Sequence, residues 1–313
     1  MAQLAAGLEI YPLGLGGNTF GNTTDARASE AVLDAFVAGG GNFIDTADSY
    51  AYWVPGNRGG ESETILGEWM RRRGNRTAVV VATKVGGHPE FKGLAPDNIA
   101  RAADASLQRL QTDSIDLYYA HHDDAPRPIE EIAHSFDSLV RAGKVRYVGI
   151  SNLLPERIEA WMRVARASGY AVPVALQPEY SLLRRRNFEQ NVPPLAEKHG
   201  LAVFPYFALA NGFLTGKYRT LADLAGAARG GSVEAFMNEE GLRVLRAVES
   251  VAAERDVAMA TVALAWLLAK PTVTAPLASA TRVTQLAELL AAPQLRLTPE
   301  EVARLDEASR PFA

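Results

Sequence analysis

Short apolar, β-branched runs alternate with amphipathic stretches along almost the whole chain, and this alternation narrows the possible folds more than any other feature. Ala78–Lys84 (AVVVATK) is continuous, β-branched and bounded by polar residues, the pattern of a strand buried on both faces. Gly41–Asp45 (GNFID), Ser114–Ala120 (SIDLYYA), Val145–Ile150 (VRYVGI), Val172–Gln177 (VPVALQ), Leu201–Tyr206 (LAVFPY) and Val273–Leu277 (VTAPL) read the same way, and a first strand is expected near Tyr11–Gly17. Helical stretches lie between them, at about Thr24–Ala38 and at Pro96–Leu110, Pro128–Arg141, Pro155–Ser168 and Asn187–His199. A proline heads three of these, which suits the first helical turn, where an N–H has no intrahelical partner. Eight strand-plus-helix units point to an α/β fold of the closed (β/α)8 TIM-barrel type. A doubly wound sheet alternates in the same way and is the alternative. No linker or shift in composition divides residues 1–313, so one domain is expected.

Composition excludes several classes of function. The formal net charge of −4 gives no basic footprint, which argues against a nucleic-acid partner. The chain has no cysteine, so disulfides, thiolate chemistry and cysteine-based zinc sites are ruled out. Met1–Gly14 lacks the basic start and long apolar run of a secretory signal. No stretch approaches the roughly 18 uninterrupted apolar residues of a membrane span, so a cytoplasmic protein is expected.

Chemistry in a barrel gathers where the strands end. Here the predicted strands close on polar residues one after another: Asp45, Lys84, His121, then Ser151 and Asn152, Gln177 and Tyr206. One such residue would cap a loop; the series marks a rim. The longest break in the alternation, Phe207 to about Glu240, is long enough to expect a functional loop.

The stretches LGLGGNTFG (Leu13–Gly21), FIDTADSY (Phe43–Tyr50), ATKVG (Ala82–Gly86), DLYYAHHDD (Asp116–Asp124), GISN (Gly149–Asn152), LQPEYS (Leu176–Ser181), GFLTGKY (Gly212–Tyr218) and ATRVTQL (Ala280–Leu286), in this order and spacing, resemble the aldo-keto reductase family. The resemblance runs from about Leu13 to Gln285 and implies NADPH-dependent reduction of aldehydes or ketones. It assigns the catalytic set to Asp45, Tyr50, Lys84 and His121. Tyr50 competes with Tyr52, and the DTAxxY spacing selects Tyr50. A free phenol titrates near pH 10; a buried Lys84 ammonium is expected to bring Tyr50 closer to working range, with Asp45 offsetting the cost of burying that ammonium. His121 would orient the carbonyl oxygen. Because side chains alternate along a strand, only one of His121 and His122 is expected to point inward; the resemblance selects His121 and gives His122 a weaker role beside the substrate.

The resemblance also implies a cofactor set. Ser151, Asn152 and Gln177 would hold the nicotinamide carboxamide, with Tyr206 stacked on the ring. Gly17, Asn18, Thr19 and Asp45 would lie near it in the first loops. Leu209, Gly212 and Lys217 would cover the pyrophosphate. Ser279, Thr281, Arg282 and Gln285, opening the last barrel helix, would hold the 2′-phosphate, which favours NADPH over NADH. The Gly14–Gly17 stretch is a weak dinucleotide fingerprint, because Thr19 takes the third-glycine place. The family often has glycine at the place of Ser279 and asparagine at that of Leu289, and Pro205–Ala210 (PYFALA) replaces the commoner PYSPLA.

Phe20, Tyr52, Trp53 and His122 are expected to line an aromatic substrate pocket. Two other readings stand beside the reductase: a regulatory or redox-sensing protein that binds NADPH and turns over slowly, and a metal-dependent hydrolase using His121, His122, Asp123 and Asp124. The hydrolase is disfavoured because adjacent strand residues point apart and His88, His134 and His199 lie at no evident strand end. No metal is therefore expected. The oligomeric state is not readable from the sequence.

Overall fold

In the computed structural model, which describes residues 1–227 and 230–313, the strands form a closed parallel barrel. A hairpin comes first, β1 (Ala2–Ala5) paired antiparallel with β2 (Leu8–Ile10). The barrel strands are β3 (Gly14–Gly16), β4 (Phe43–Asp45), β5 (Val80–Val85), β6 (Ile115–Ala120), β7 (Val145–Ser151), β8 (Ala175–Gln177), β9 (Ala202–Val203) and β10 (Leu277–Ala278). From β3 to β9 each pairs in parallel with the next, and β10 pairs in parallel with β3. Hydrogen bonds from Thr274 N to Val203 O (2.9 Å) and from Leu277 N to Pro205 O (2.8 Å) close the ring. The doubly wound alternative is thereby excluded.

The helices are α1 (Ala26–Ala38), α2 (Glu61–Arg73), α3 (Pro96–Leu110), α4 (Ile129–Arg141), α5 (Pro155–Ser168), α6 (Arg186–His199), α7 (Gly230–Val233), α8 (Glu239–Arg255), α9 (Met259–Leu268), α10 (Val283–Leu290) and α11 (Pro299–Ala308). Pro128 precedes α4 as its cap instead of occupying its first turn, the one departure from the expected proline placement.

Alternation along the strands separates two cores. Phe43, Val80, Ala82, Leu117, Tyr119, Ala175 and Ala202 pack inside the barrel, whereas Ile44, Val81, Tyr118, Val148, Ile150 and Leu176 pack outward with the helices. The same period carries Asp45 and Lys84 to the inner face at the C-terminal rim. At the opposite end the hairpin closes the barrel: Leu4, Leu8 and Ile10 join the inner core, and the Tyr147 hydroxyl donates to Ala6 O at 2.9 Å.

Strands β8, β9 and β10 are shorter than the sequence pattern suggests. Pro173, Pro205 and Pro276 stand within or beside the predicted runs, and a proline has no N–H to give a ladder. The long break after β9 holds 3-10 turns at Ala210–Thr215, Leu221–Leu224 and Glu234–Phe236 as well as α7, with Phe236 packed against both Phe207 and Phe213.

Candidate active site

Asp45 ends β4 and Lys84 lies near the end of the neighbouring β5, so both side chains enter one inner layer. The three hydrogens of the Lys84 ammonium find three acceptors: Asp45 Oδ1 at 2.6 Å, Thr46 O at 2.8 Å and the Tyr50 hydroxyl at 3.3 Å. Gln177 Nε2 donates to the other Asp45 oxygen at 2.7 Å. Lys84 is fully buried, and burial alone would lower its pKa. The Asp45 carboxylate, with Tyr50 assisting, more than reverses this and holds the ammonium above the usual lysine value. Burial pushes Asp45 up while Lys84 pulls it down. The proton of the pair belongs on Lys84, whose nitrogen faces three acceptors.

Tyr50 departs from the expected direction. Burial raises its phenol above the ordinary tyrosine value, Asp45 adds to the rise, and Lys84 offsets only part of it. At neutral pH the phenol therefore keeps its hydrogen, the state a proton donor needs.

His121 continues the β6 ladder, its N–H donating to Val85 O at 2.9 Å while its carbonyl accepts from Asn152 Nδ2 at 2.9 Å. Burial, then the Lys84 and His122 charges, holds its imidazole well below the usual histidine range. Its Nδ1 is buried without a hydrogen-bond partner among the described residues. A hydrogen on that nitrogen would be an unsatisfied donor, so the neutral ring carries its N–H on Nε2. The expectation that only one of the two histidines turns inward is corrected. Their rings stack at 4.4 Å with 15° between planes, and both line the same cavity. The strand ends at Ala120, and alternation ends with it. Beyond it, Arg157 of α5 grips both Asp123 carboxylate oxygens at 3.1 Å and donates to Arg127 O at 3.1 Å, anchoring the loop that carries both rings.

The cavity measures about 800 Å3. Among its lining residues are Asp45, Tyr50, His121, Ser151, Asn152, Gln177 and Tyr206, together with Leu209, Gly212, Lys217, Ser279, Thr281, Arg282 and Gln285. Asn18 and Thr19 line it too, tied to the β10 side by Ser279 Oγ to Asn18 Oδ1 (2.6 Å) and Thr19 Oγ1 to Ala280 O (3.2 Å). Asn152 has a positive φ of 55°, a conformation asparagine tolerates, and its Oδ1 accepts from the Tyr206 hydroxyl at 2.8 Å. Ser151 Oγ donates to Gln177 O at 2.8 Å.

Phe20, Gly17, Tyr52 and Trp53 are not on the cavity lining. Phe20 is fully buried in the helix-facing core and does not line the cavity. Gly17 packs against α2: Ser62 Oγ donates to its carbonyl at 2.8 Å, and a Cβ there would stand 2.7 Å from that hydroxyl. Gly16 takes its place on the cavity wall. Tyr52 and Trp53 stand about half exposed at the mouth, Trp53 edge-on to Tyr50 at 5.8 Å.

The start of α10 also differs in detail. The Gln285 side-chain oxygen accepts from the Thr281 and Arg282 amides at 2.8 and 3.2 Å, so those donors are already engaged. The charged donor there is the Arg282 guanidinium. Among the described residues neither Arg282 nor Lys217 has a carboxylate within salt-bridge reach, and both face the cavity. Two such cations in the same cavity as a set of amide and hydroxyl groups fit a phosphate-bearing cofactor.

Sequence reasoning missed a group behind this rim. Asp48, Glu63 and Arg109 come from three separate segments, and Asp48 and Glu63 are buried. Nothing in their local sequence signals the burial. Likewise His88 is buried just past β5, its Nδ1 accepting from Glu90 N at 3.0 Å.

With this geometry in place, comparison with known proteins is decisive. The aldo/keto reductase family model matches residues 12–310. The chain belongs to the aldo/keto reductase family. It is 35% identical to the uncharacterized oxidoreductase YrpG of Bacillus subtilis, over 96% of this chain and 93% of that protein. Norsolorinic acid reductase B of Aspergillus parasiticus is 34% identical over 97% of this chain and 82% of its own. A probable voltage-gated potassium channel subunit beta of rice, Oryza sativa, is 33% identical over 96% and 93% respectively. The family, with relatives named as an oxidoreductase and a reductase, makes this chain an oxidoreductase. Among the described residues no helix is long and apolar enough to cross a membrane, and no group of three or more His, Asp or Glu is placed to hold a metal.

Proposed function

We propose that this aldo/keto reductase reduces an aldehyde or ketone to its alcohol with NADPH, Tyr50 giving the proton. The observation that carries the reading is the Lys84 ammonium in contact with both Asp45 and the Tyr50 hydroxyl, two residues that line a cavity of about 800 Å3.

When bound, the cofactor supplies the hydride for the carbonyl carbon. The protein supplies position and charge. Ser151, Asn152 and Gln177 hold the carboxamide end and Tyr206 offers its ring; Lys217 meets the pyrophosphate and Arg282 the 2′-phosphate. The neutral His121 Nε2–H donates to the carbonyl oxygen and shares its developing charge. Tyr50 delivers its hydrogen to that oxygen, and the Lys84 ammonium stabilises the phenolate left behind. Asp45 keeps Lys84 charged within the barrel. Tyr52, Trp53 and His122 form the substrate mouth.

A second reading draws on the likeness to a protein named a channel subunit: NADPH is held and turned over slowly, as a regulatory signal. Following nicotinamide absorbance while the protein meets a panel of aldehydes and ketones separates the two. Steady turnover supports the reductase. Tight NADPH binding with no turnover on any carbonyl supports the regulatory reading and overturns the first.

A further inference from the structure

Around the catalytic lysine, three buried carboxyl groups share two cations. Asp45 is taken by Lys84. Glu63, in the first turn of α2, accepts from Thr83 Oγ1 at 2.5 Å and from Arg109 Nε at 2.7 Å. Asp48, between Asp45 and Tyr50 in sequence, is also fully buried; among the described residues neither oxygen has a partner at full hydrogen-bond geometry, and the adjacent Ser49 backbone N–H offsets only part of the cost of burial. Its backbone is fixed beside the catalytic lysine, Asp48 N donating to Lys84 O at 3.2 Å.

The groups that act on Asp48 come from every element packed around it. Glu63 on α2 is a like charge; Arg109 on α3 and Lys84 on β5 are cations already engaged with other carboxylates. Tyr118, on the outer face of β6, adds a buried hydroxyl without a partner, and Tyr50 lies two residues away. The His88 ring packs over Gly59 beside the Asp48 carbonyl, and burial keeps it toward its neutral form. Ionised Asp48 would therefore be a third negative charge with no cation of its own, in a place that water does not reach. A carboxyl so placed keeps its proton.

We propose that Asp48 is carried as the neutral acid at neutral pH, a positioning residue whose proton keeps a further negative charge off the Tyr50–Lys84 pair. The inference rests on the reading of Tyr50 as the proton donor. Burial, reinforced by Glu63 and opposed by Arg109, holds Asp48 well above the carboxylate range, in the same direction. Loss of that proton would raise the Tyr50 phenol further and draw Lys84 toward a second carboxylate.

The test is carbon-13 magnetic resonance of protein labelled at the aspartate carboxyl and the tyrosine Cζ, with and without saturating NADP+. The Asp48 signal, assigned by its loss in Asp48→Asn, is expected at the protonated-carboxyl position at neutral pH. In Asp48→Asn, which keeps the shape and replaces one neutral group by another, Tyr50 (assigned by Tyr50→Phe) is expected to titrate as in the wild type. Glu63→Gln, which frees Arg109 to pair with Asp48, is expected to turn Asp48 into a carboxylate at neutral pH and to raise Tyr50 above its wild-type midpoint. A wild-type Asp48 that resonates as carboxylate at neutral pH, or a Tyr50 midpoint clearly lower in Asp48→Asn than in wild type, overturns the proposal. These readouts need no turnover. Failure to reduce any carbonyl would therefore count against the proposed reaction alone.

Discussion

Lys84 approaches Asp45 more closely than Tyr50, with its ammonium 2.6 Å from the carboxylate and 3.3 Å from the phenol oxygen. The lysine is thus first the partner of a buried ion pair and second the support of a proton donor, and its removal touches both roles. Lys84→Met leaves Asp45 without a cation, a change that costs about 3–5 kcal/mol when one partner of a buried pair is lost. Denaturant unfolding is expected to show that loss, and steady-state assays a turnover lower by at least ~10²-fold. Full activity in a destabilised Lys84→Met would separate the two roles and remove the lysine from the chemistry.

Arg282 tests the choice of cofactor. Gln285 occupies the Thr281 and Arg282 amides just before α10, and the Arg282 guanidinium is the charged donor to an anion there. Arg282→Ala is expected to weaken NADPH by about tenfold to a hundredfold, the worth of a charge-assisted hydrogen bond of roughly 1.5–3 kcal/mol. NADH affinity should stay within a few-fold, since it has no 2′-phosphate. Fluorescence titration with both nucleotides checks this; equal losses would show that Arg282 does not meet that phosphate.

Gly87 leaves room for the His121 ring. A Cβ at that position would stand 3.1 Å from His121 Nδ1 and 3.3 Å from Ser49 Oγ, so one neighbour must give way. Gly87→Ala is expected to lower kcat/KM by about tenfold or more through displacement of the ring, because small errors in position are costly in rate. NADPH affinity should hold. Unchanged kcat/KM would mean that His121 is not held against this wall.

The parts of this molecule legible in the sequence are those set by a local period. Pro96–Leu110 and Pro155–Ser168 are helices with the expected bounds, since each begins at proline and carries a clear apolar stripe. The inner position of Lys84 follows from counting by twos along AVVVATK. The hairpin at Ala2–Ile10 escaped notice because its strands are very short and their apolar partners lie inside the barrel. Phe20 was misplaced because loop aromatics look alike in sequence whether they pack inward or face a ligand. The Asp48–Glu63–Arg109 group was invisible for a different reason: a charge reads as solvated until the fold shows what covers it.

The histidine state predicts a pH dependence. His121 has its folded pKa depressed, so the native protein binds fewer protons there than the unfolded chain. Stability linked to it is fully present above the ordinary histidine pKa of about 6.5 and is lost as pH falls below it. His121→Gln is expected to flatten unfolding free energy against pH between roughly 6.5 and 5. An equally steep loss in the variant would place the acid sensitivity on another group.

The central claim is that the Tyr50 hydroxyl hands its hydrogen to the substrate oxygen. Tyr50→Phe keeps the ring and removes that hydrogen alone. Measured with NADPH and an aldehyde the wild type reduces, its turnover is expected to fall by at least ~10²-fold while NADPH binds as before. Near-normal turnover in Tyr50→Phe would contradict the account.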